Sequence, residues 1–232
     1  MSVTVYGTPG WSLTRSGSER YGSSARRGAF HEKRVAQALE LWLSERPGHF
    51  HLFHDLTGFD KETGVGPDPL DLGSTNIDHV VLSGNAWLIV DSKGCGSGTL
   101  GLDQRGKGVL VKEDGTTVAQ EWLDSRRSYA SAGLLYRLTD GIKGQAVWIV
   151  PDTTLLHPTV QQAACVRKGG LVLPLRALTD GFFDDHFSAS QSVTAPEHVA
   201  WLSEHLSSHE RSSGGGKPDH GQEAACPTGK TP

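Results

Sequence analysis

The chain has 232 residues, 36% of them hydrophobic and enough for one catalytic-size core with tails, and a formal net charge of -4, which lacks the basic excess of a general nucleic-acid binder. Three cysteines, Cys95, Cys165 and Cys226, without C-x-x-C spacing argue against a disulfide framework or a Cys-rich zinc site and point to a reducing compartment. The opening residues show no basic region followed by an apolar run, and no apolar stretch nears the roughly 18 residues of a membrane helix, so a soluble, cytoplasmic protein without membrane association is expected.

Residues 1–24, rich in Gly, Ser, Thr and Arg, read as an irregular arm. From Gly28 to about Ser44 the pattern turns helical, with Val35, Leu39 and Trp42 on one face and Pro47-Gly48 ending the run. His49 to Leu56 reads as a strand, Thr57 to Ser74 as a loop, and the runs 76–82 and 87–93 as a hairpin. A glycine-rich stretch reaches to about Gly108, followed by a short strand candidate at Val109-Leu110-Val111 and a turn at Asp114-Gly115. Ala119 to Thr139, with Leu123, Ala130, Leu134 and Leu138 at helical spacing, predicts a second long helix. Gln145 to Val150 and Leu171 to Leu173 are strands, Pro196 to Leu206 is a helix with Pro in its first turn, and residues 207–232 are a disordered tail. The order of elements predicts an α/β fold, a mixed β-sheet flanked by helices, as one domain over residues 25–206.

Gly84-Asn85 suits a two-residue hairpin turn. Counting outward from it, Ser83 pairs with Ala86 and Asp78 falls opposite Asp91, with Lys93 two residues on and on the same face. Like charges directly opposite destabilise a sheet, and a divalent cation is the simplest compensation. The competing reading is that both carboxylates face water at a strand end. On the first helix Glu32 precedes Val35 by three and Leu39 by seven, on the buried stripe; the alternative is a frayed first turn where it complements the helix dipole. Gln120, three residues before Leu123, points inward on the same argument, or else makes a local backbone bond.

Taken together, Ile77-Asp78-His79-Val80-Val81, a Gly turn, and Trp87 to Lys93 closing on Asp91-Ser92-Lys93-Gly94 resemble the nuclease-related domain, a branch of the PD-(D/E)XK phosphodiesterase superfamily. Gly28-Ala29-Phe30-His31-Glu32 is similar to that family's N-terminal Gly and Glu signature, and Ala119-Gln120 to its Gln-bearing helix; Asp91 stands where the family more often has Glu. The resemblance spans about residues 25 to 150 and implies a restriction-endonuclease-like core and metal-dependent hydrolysis of DNA phosphodiester bonds. It implies that Asp78, Asp91 and the backbone carbonyl of Ser92 hold Mg²⁺ or Mn²⁺, with Glu32 completing the shell, hard oxygen ligands suiting hard cations. Lys93 would orient or help deprotonate the attacking water, and Gln120 would position water or backbone. Phosphate contacts are expected from Arg26 and Arg27, Arg105 and Lys107, and Arg126 and Arg127, the local track that the global charge lacks. A homodimer or a partner protein is compatible with the sequence. The alternative function is a catalytically silent nucleic-acid-binding or partner-binding module that keeps the fold.

Other signals are set aside. Gly96-Ser97-Gly98-Thr99-Leu100-Gly101 matches G-x-G-x-x-G after a strand, but no helical pattern follows to receive a pyrophosphate, so a loop near the substrate is expected instead. His49 and His51 share a strand face that His54 does not, which argues against zinc. No G-x-S-x-G elbow supports a serine hydrolase.

Overall fold

The computed structural model describes residues 2–12, 22–58, 76–124, 144–188 and 193–207, with only the backbone of 22–25 and 188. In chain order its principal elements are strand β1 (Ser2–Tyr6), helix α1 (Gly22–Ser44) and strands β2 (His49–Leu56), β3 (Ile77–Ser83), β4 (Ala86–Ser92), β5 (Gly98–Leu102), β6 (Gly108–Val111) and β7 (Thr117–Ala119). Strands β8 (Gly144–Val150) and β9 (Thr154–Leu156), helix α2 (Ala164–Arg167), strand β10 (Leu171–Pro174) and helices α3 (Asp184–Ser188) and α4 (Pro196–Glu204) complete the set. Among the described residues no helix is long and apolar enough to cross a membrane.

The main sheet has six strands in the order β1-β2-β3-β4-β8-β10. β1 and β2, β4 and β8, and β8 and β10 pair parallel, whereas β3 is antiparallel to both its neighbours. Five strands therefore run the same way and β3 alone runs back, so the carboxyl ends of five strands meet the start of β3 at one end. In open α/β sheets that is the end where ligands bind.

Both faces of this sheet are covered, which explains why every residue of β3 is buried rather than every second one. On one face Val35, Leu39, Trp42 and Leu43 of α1 pack on Leu52, Val81, Leu88, Val90, Val147 and Ile149. On the other, Phe53, Val80, Leu82, Trp87, Ile89 and Trp148 meet Leu100, Leu110, Leu123, Val160 and Leu202. The architecture is the mixed α/β fold that the order of elements predicts.

The helix α1 starts at Gly22, six residues earlier than the expected Gly28, and the structure departs from the sequence expectations in three further places. Part of the expected irregular arm, Ser2–Tyr6, is an edge strand pairing with His49 to Phe53, and its Tyr6 ring stacks on Phe53 at 4.4 Å. Ser2-Val3-Thr4-Val5-Tyr6 does alternate as a strand should, but the run is only five residues long and is followed by the Gly, Ser and Arg that dominate the segment. The glycine run is not a loop: β5 joins β6, β7 and β9 in a second, four-stranded sheet. Its glycines serve close approach, since a Cβ at Gly98, whose φ is +141°, would lie 2.5 Å from the Val111 carbonyl oxygen, and one at Gly101 2.9 Å from Thr159 Oγ1. Finally, the helix predicted from Ala119 is absent over its described part, where β7 ends at Ala119 and a single 3₁₀ turn spans Glu121–Leu123. Leu123 is buried as expected, by the second sheet rather than by a helix face; residues 125–139 of that expected helix lie outside the described residues, as do 208–232 of the expected tail.

Candidate active site

Ser83 pairs with Ala86, Leu82 with Trp87 and His79 with Val90, the register expected from the turn. Gly84 alone takes positive φ, at +53°, which matches a II′-type hairpin in which Asn85 needs no left-handed backbone. One step beyond the last of these pairs, the Asp78 carboxylate takes over from the ladder: its Oδ2 accepts the Ser92 N–H at 2.6 Å. Asp91 beside it receives Lys93 Nζ on Oδ1 at 2.6 Å, with both side chains about a quarter exposed.

Glu32 reaches this point from α1, which covers the opposite face, so the acids meet at the end of the strands rather than over the middle of one face. It is 1% exposed. Oε1 accepts the Gly10 N–H at 2.5 Å, while Oε2 is buried with no partner among the described residues. The junction of α1 with the loop after Lys93 is close: a Cβ at Gly94 would lie 3.4 Å from the Arg27 carbonyl oxygen and from Gly28 Cα. Glycine at 28 and 94 thus lets the helix start sit against the strand that carries Asp91 and Lys93.

Charge follows from this crowding. Burial first, then the neighbouring Asp91 and Glu32 charges, push the Asp78 carboxyl well above the usual range against the pull of Lys93 and the Ser92 N–H. Burial, with the charges of Asp55 and Asp91, likewise raises Glu32 to about 7 despite the Gly10 bond. For Lys93 burial acts to lower the value, but Asp91 and Asp78 outweigh it and the net shift is upward. The arrangement favours the ammonium form of Lys93 and shifts Asp78 and Glu32 toward their protonated forms, whose protons a cation would displace.

Asp55 belongs to this cluster and sequence reading passed over it. At the carboxyl end of β2 it is fully buried, takes φ +56° as the one described non-glycine residue with positive φ, and accepts the Ser12 N–H on Oδ2 at 2.6 Å. Its Oδ1 is buried without a described partner, and its carbonyl receives the N–H and hydroxyl of Ser207. A legible signal was present: an acid inside the apolar run of a strand buried on both faces needs a polar partner. Segment 7–12 supplies backbone N–H groups to both Glu32 and Asp55, so the residues after β1 strap the acid cluster.

A buried histidine pair lies behind Ser92. His54 Nδ1 and His79 Nδ1 are 2.8 Å apart, His79 Nε2 is 3.3 Å from Ser92 Oγ, and His54 Nε2 is 3.7 Å from Glu40 Oε1. Burial drives both rings down, His54 to about 4, so they are neutral and tautomeric. Pointing His54 Nε2–H at the Glu40 carboxylate makes His79 the Nδ1–H donor and leaves its Nε2 to accept from Ser92. His31, also buried and lowered by burial, donates Nε2–H to the Ile149 carbonyl at 3.1 Å.

The structure thus brings Glu32, Asp78, Asp91, Ser92 and Lys93 together and adds Asp55. It sets Gln120 in the second sheet, where its N–H bonds the Gly108 carbonyl at 2.7 Å and its Oε1 accepts from Trp122 at 3.0 Å. Arg26 and Arg27 are exposed on the first turns of α1. Arg105 and Lys107 are exposed in the β5–β6 turn, whose amides cap Asp103, and Lys107 pairs with Asp124 at 3.1 Å. Arg126 and Arg127 lie outside the described residues. Among the described residues no three His, Cys, Asp or Glu side chains converge as a ready metal cage. Each carboxylate is instead held by an internal donor: Gly10, Ser12, Ser92 or Lys93.

Residues 27–129 match the family model of the nuclease-related domain, a stretch running from the first turns of α1 through the acidic hairpin to just beyond the 3₁₀ turn. No curated protein and no solved structure matches the chain. Matched motif, strand order and the acid cluster at the carboxyl end of the sheet agree with the likeness of residues 27–129 to the nuclease-related domain.

Proposed function

We propose that this protein is a metal-dependent nuclease that hydrolyses DNA phosphodiester bonds in the manner of an endonuclease, using Mg²⁺ or Mn²⁺. The observation that carries the reading is Asp78, one step beyond the last ladder pair and bonded to the Ser92 N–H, beside Asp91, with Lys93 Nζ 2.6 Å from Asp91 and the buried, unpartnered Glu32 Oε2 from the neighbouring helix. An orphaned carboxylate oxygen next to two more acids is an arrangement that a divalent cation relieves, and oxygen donors suit Mg²⁺ and Mn²⁺. The residues that would hold it are Asp78, Asp91, the Ser92 carbonyl and Glu32. When bound, the ion supplies a Lewis acid for the phosphate oxygen and a more acidic water.

The chain's own groups do the rest. Asp78 fixes the end of β4 through the Ser92 N–H, and His79 holds the Ser92 hydroxyl, so the Ser92 carbonyl is aimed by both. Lys93, kept protonated by Asp91 and Asp78, orients the attacking water and offsets charge on the pentavalent phosphorane-like transition state rather than removing a proton. Gln120, whose Oε1 accepts from Trp122 Nε1, would position water or backbone.

A silent binding module is the second reading, favoured by the internal donors that already compensate each carboxylate. Plasmid and single-stranded DNA incubated with Mg²⁺, Mn²⁺ or EDTA separates the two. Metal-dependent nicking abolished by Asp78→Ala and by Lys93→Ala is expected; activity surviving either substitution removes the assigned site, and absence of cleavage with every metal favours the silent module.

A further inference from the structure

α1 buries His31 and Glu32 at the acid cluster, yet the residue before them, Phe30, is 66% exposed. Leu41 of the same helix is also exposed, at 56%, and a lone exposed apolar residue is ordinary; what sets Phe30 apart is its surroundings. At about 100° per residue, Arg26, Arg27, Lys33 and Arg34 all fall within about 60° of Phe30 around the helix axis, and the stretch from 26 to 34 is about 12 Å long. All four side chains are exposed. In a chain whose net charge is -4, this puts four cations around one exposed aromatic ring, on the side of α1 turned away from the buried Glu32.

We infer that this face of α1 is a platform for an unpaired DNA strand, with Phe30 stacking on a base and the cations on the flanking phosphates. The inference rests on the nucleic-acid reading of the adjacent site and names its substrate: single-stranded or locally unpaired DNA rather than intact duplex. A duplex keeps the faces of its internal bases stacked on one another and presents phosphates, for which arginines and lysines suffice; an exposed ring adds affinity only where a base face is free. The close seat of Gly94 on Arg27 and Gly28 joins the first turns of the platform helix to the loop after the strand bearing Asp91, while Phe30 lies about 160° around the axis from Glu32, so a strand bound there runs along the outer side of α1 beside the acid cluster.

The test is fluorescence anisotropy with a labelled 20-nucleotide oligo-dT and a 20-base-pair duplex, in EDTA so that nothing is cleaved. Expected for the wild type is tighter binding to oligo-dT. Phe30→Ala should weaken oligo-dT binding about tenfold and leave duplex binding unchanged, Phe30→Leu should behave like Ala, and Phe30→Trp should restore it. Equal loss on both DNAs, recovery by Leu, or concentration-dependent dimerisation that Phe30→Ala abolishes would overturn the inference; the last result would make the ring a contact between copies. Circular dichroism of each variant checks folding, which an exposed residue should not disturb. The outcomes also separate from those of the cleavage assay: ring-dependent oligo-dT binding without cleavage leaves the platform standing and the nuclease reading fallen, whereas metal-dependent cleavage with Phe30 immaterial does the reverse.

Discussion

Replacing Glu32 by Gln probes the acid cluster without removing its shape. The amide keeps an oxygen for the Gly10 N–H and fills the same space, but it cannot ionise. In the wild type the folded protein holds the Glu32 proton up to about pH 7, whereas the unfolded chain releases it near 4.5. The folded state binds the extra proton, so this contribution to stability is complete below 4.5 and is lost as pH rises to about 7. At about 1.4 kcal/mol per pH unit the loss amounts to about 3 kcal/mol, or about 6–12 °C in Tm for a chain of this length. His54 acts oppositely: held neutral down to about 4 against an ordinary 6.5, it contributes stability above 6.5 that is lost as pH falls toward 4. The raw pH curve mixes the two, and the difference between Glu32→Gln and wild type isolates Glu32. Urea unfolding in EDTA should show that difference rising by about 3 kcal/mol in favour of the variant between pH 4.5 and 8, with cleavage abolished. A difference constant across this range would refute the argument that burial and the neighbouring carboxylates raise Glu32.

Further outcomes follow from the same geometry. Mg²⁺ at a hundredfold excess over its Kd should stabilise the wild type at pH 7.5 by about 2.7 kcal/mol in differential scanning fluorimetry, and Asp78→Asn should lose that response. Asp55→Asn tolerates the left-handed backbone and keeps an oxygen for Ser12 N–H, yet removes a charge beside Glu32; the pH midpoint of the Glu32-dependent stability step should move down, and an unmoved midpoint would show that Asp55 does not act on it. Lys93→Met should remove cleavage while lowering the metal-free Tm and leaving Mg²⁺ stabilisation in place, because Asp91 loses its partner but not its oxygens. Gly98→Ala should destabilise by about 1–3 kcal/mol in urea titration, its methyl meeting the Val111 carbonyl, and no effect would remove the close-approach account of the glycine run.

Much of the site was legible in the sequence because it rests on short-range periodicity. A two-residue turn determines which residues face each other across a hairpin, so the opposition of Asp78 and Asp91, with Lys93 beside them, needed only the positions of Gly84 and Asn85. The inward direction of Glu32 needed only the spacing to Val35 and Leu39. Tertiary structure decided what no local period encodes. Asp55 joins the cluster because antiparallel pairing of β2 with β3 brings a strand end to a strand start, and because Ser12 of the segment that also bonds Glu32 donates to its carboxylate. Gly98 and Gly101 form a strand because β6 and β9 arrive on either side, contacts made across distant parts of the chain. Leu123 shows the limit of pattern: its spacing suggested a helix, but its burial is satisfied by the second sheet. The chain's own order determined the acids and their faces; only packing decided that they meet at the carboxyl end of the sheet, with protons and Lys93 offsetting charges that water no longer screens.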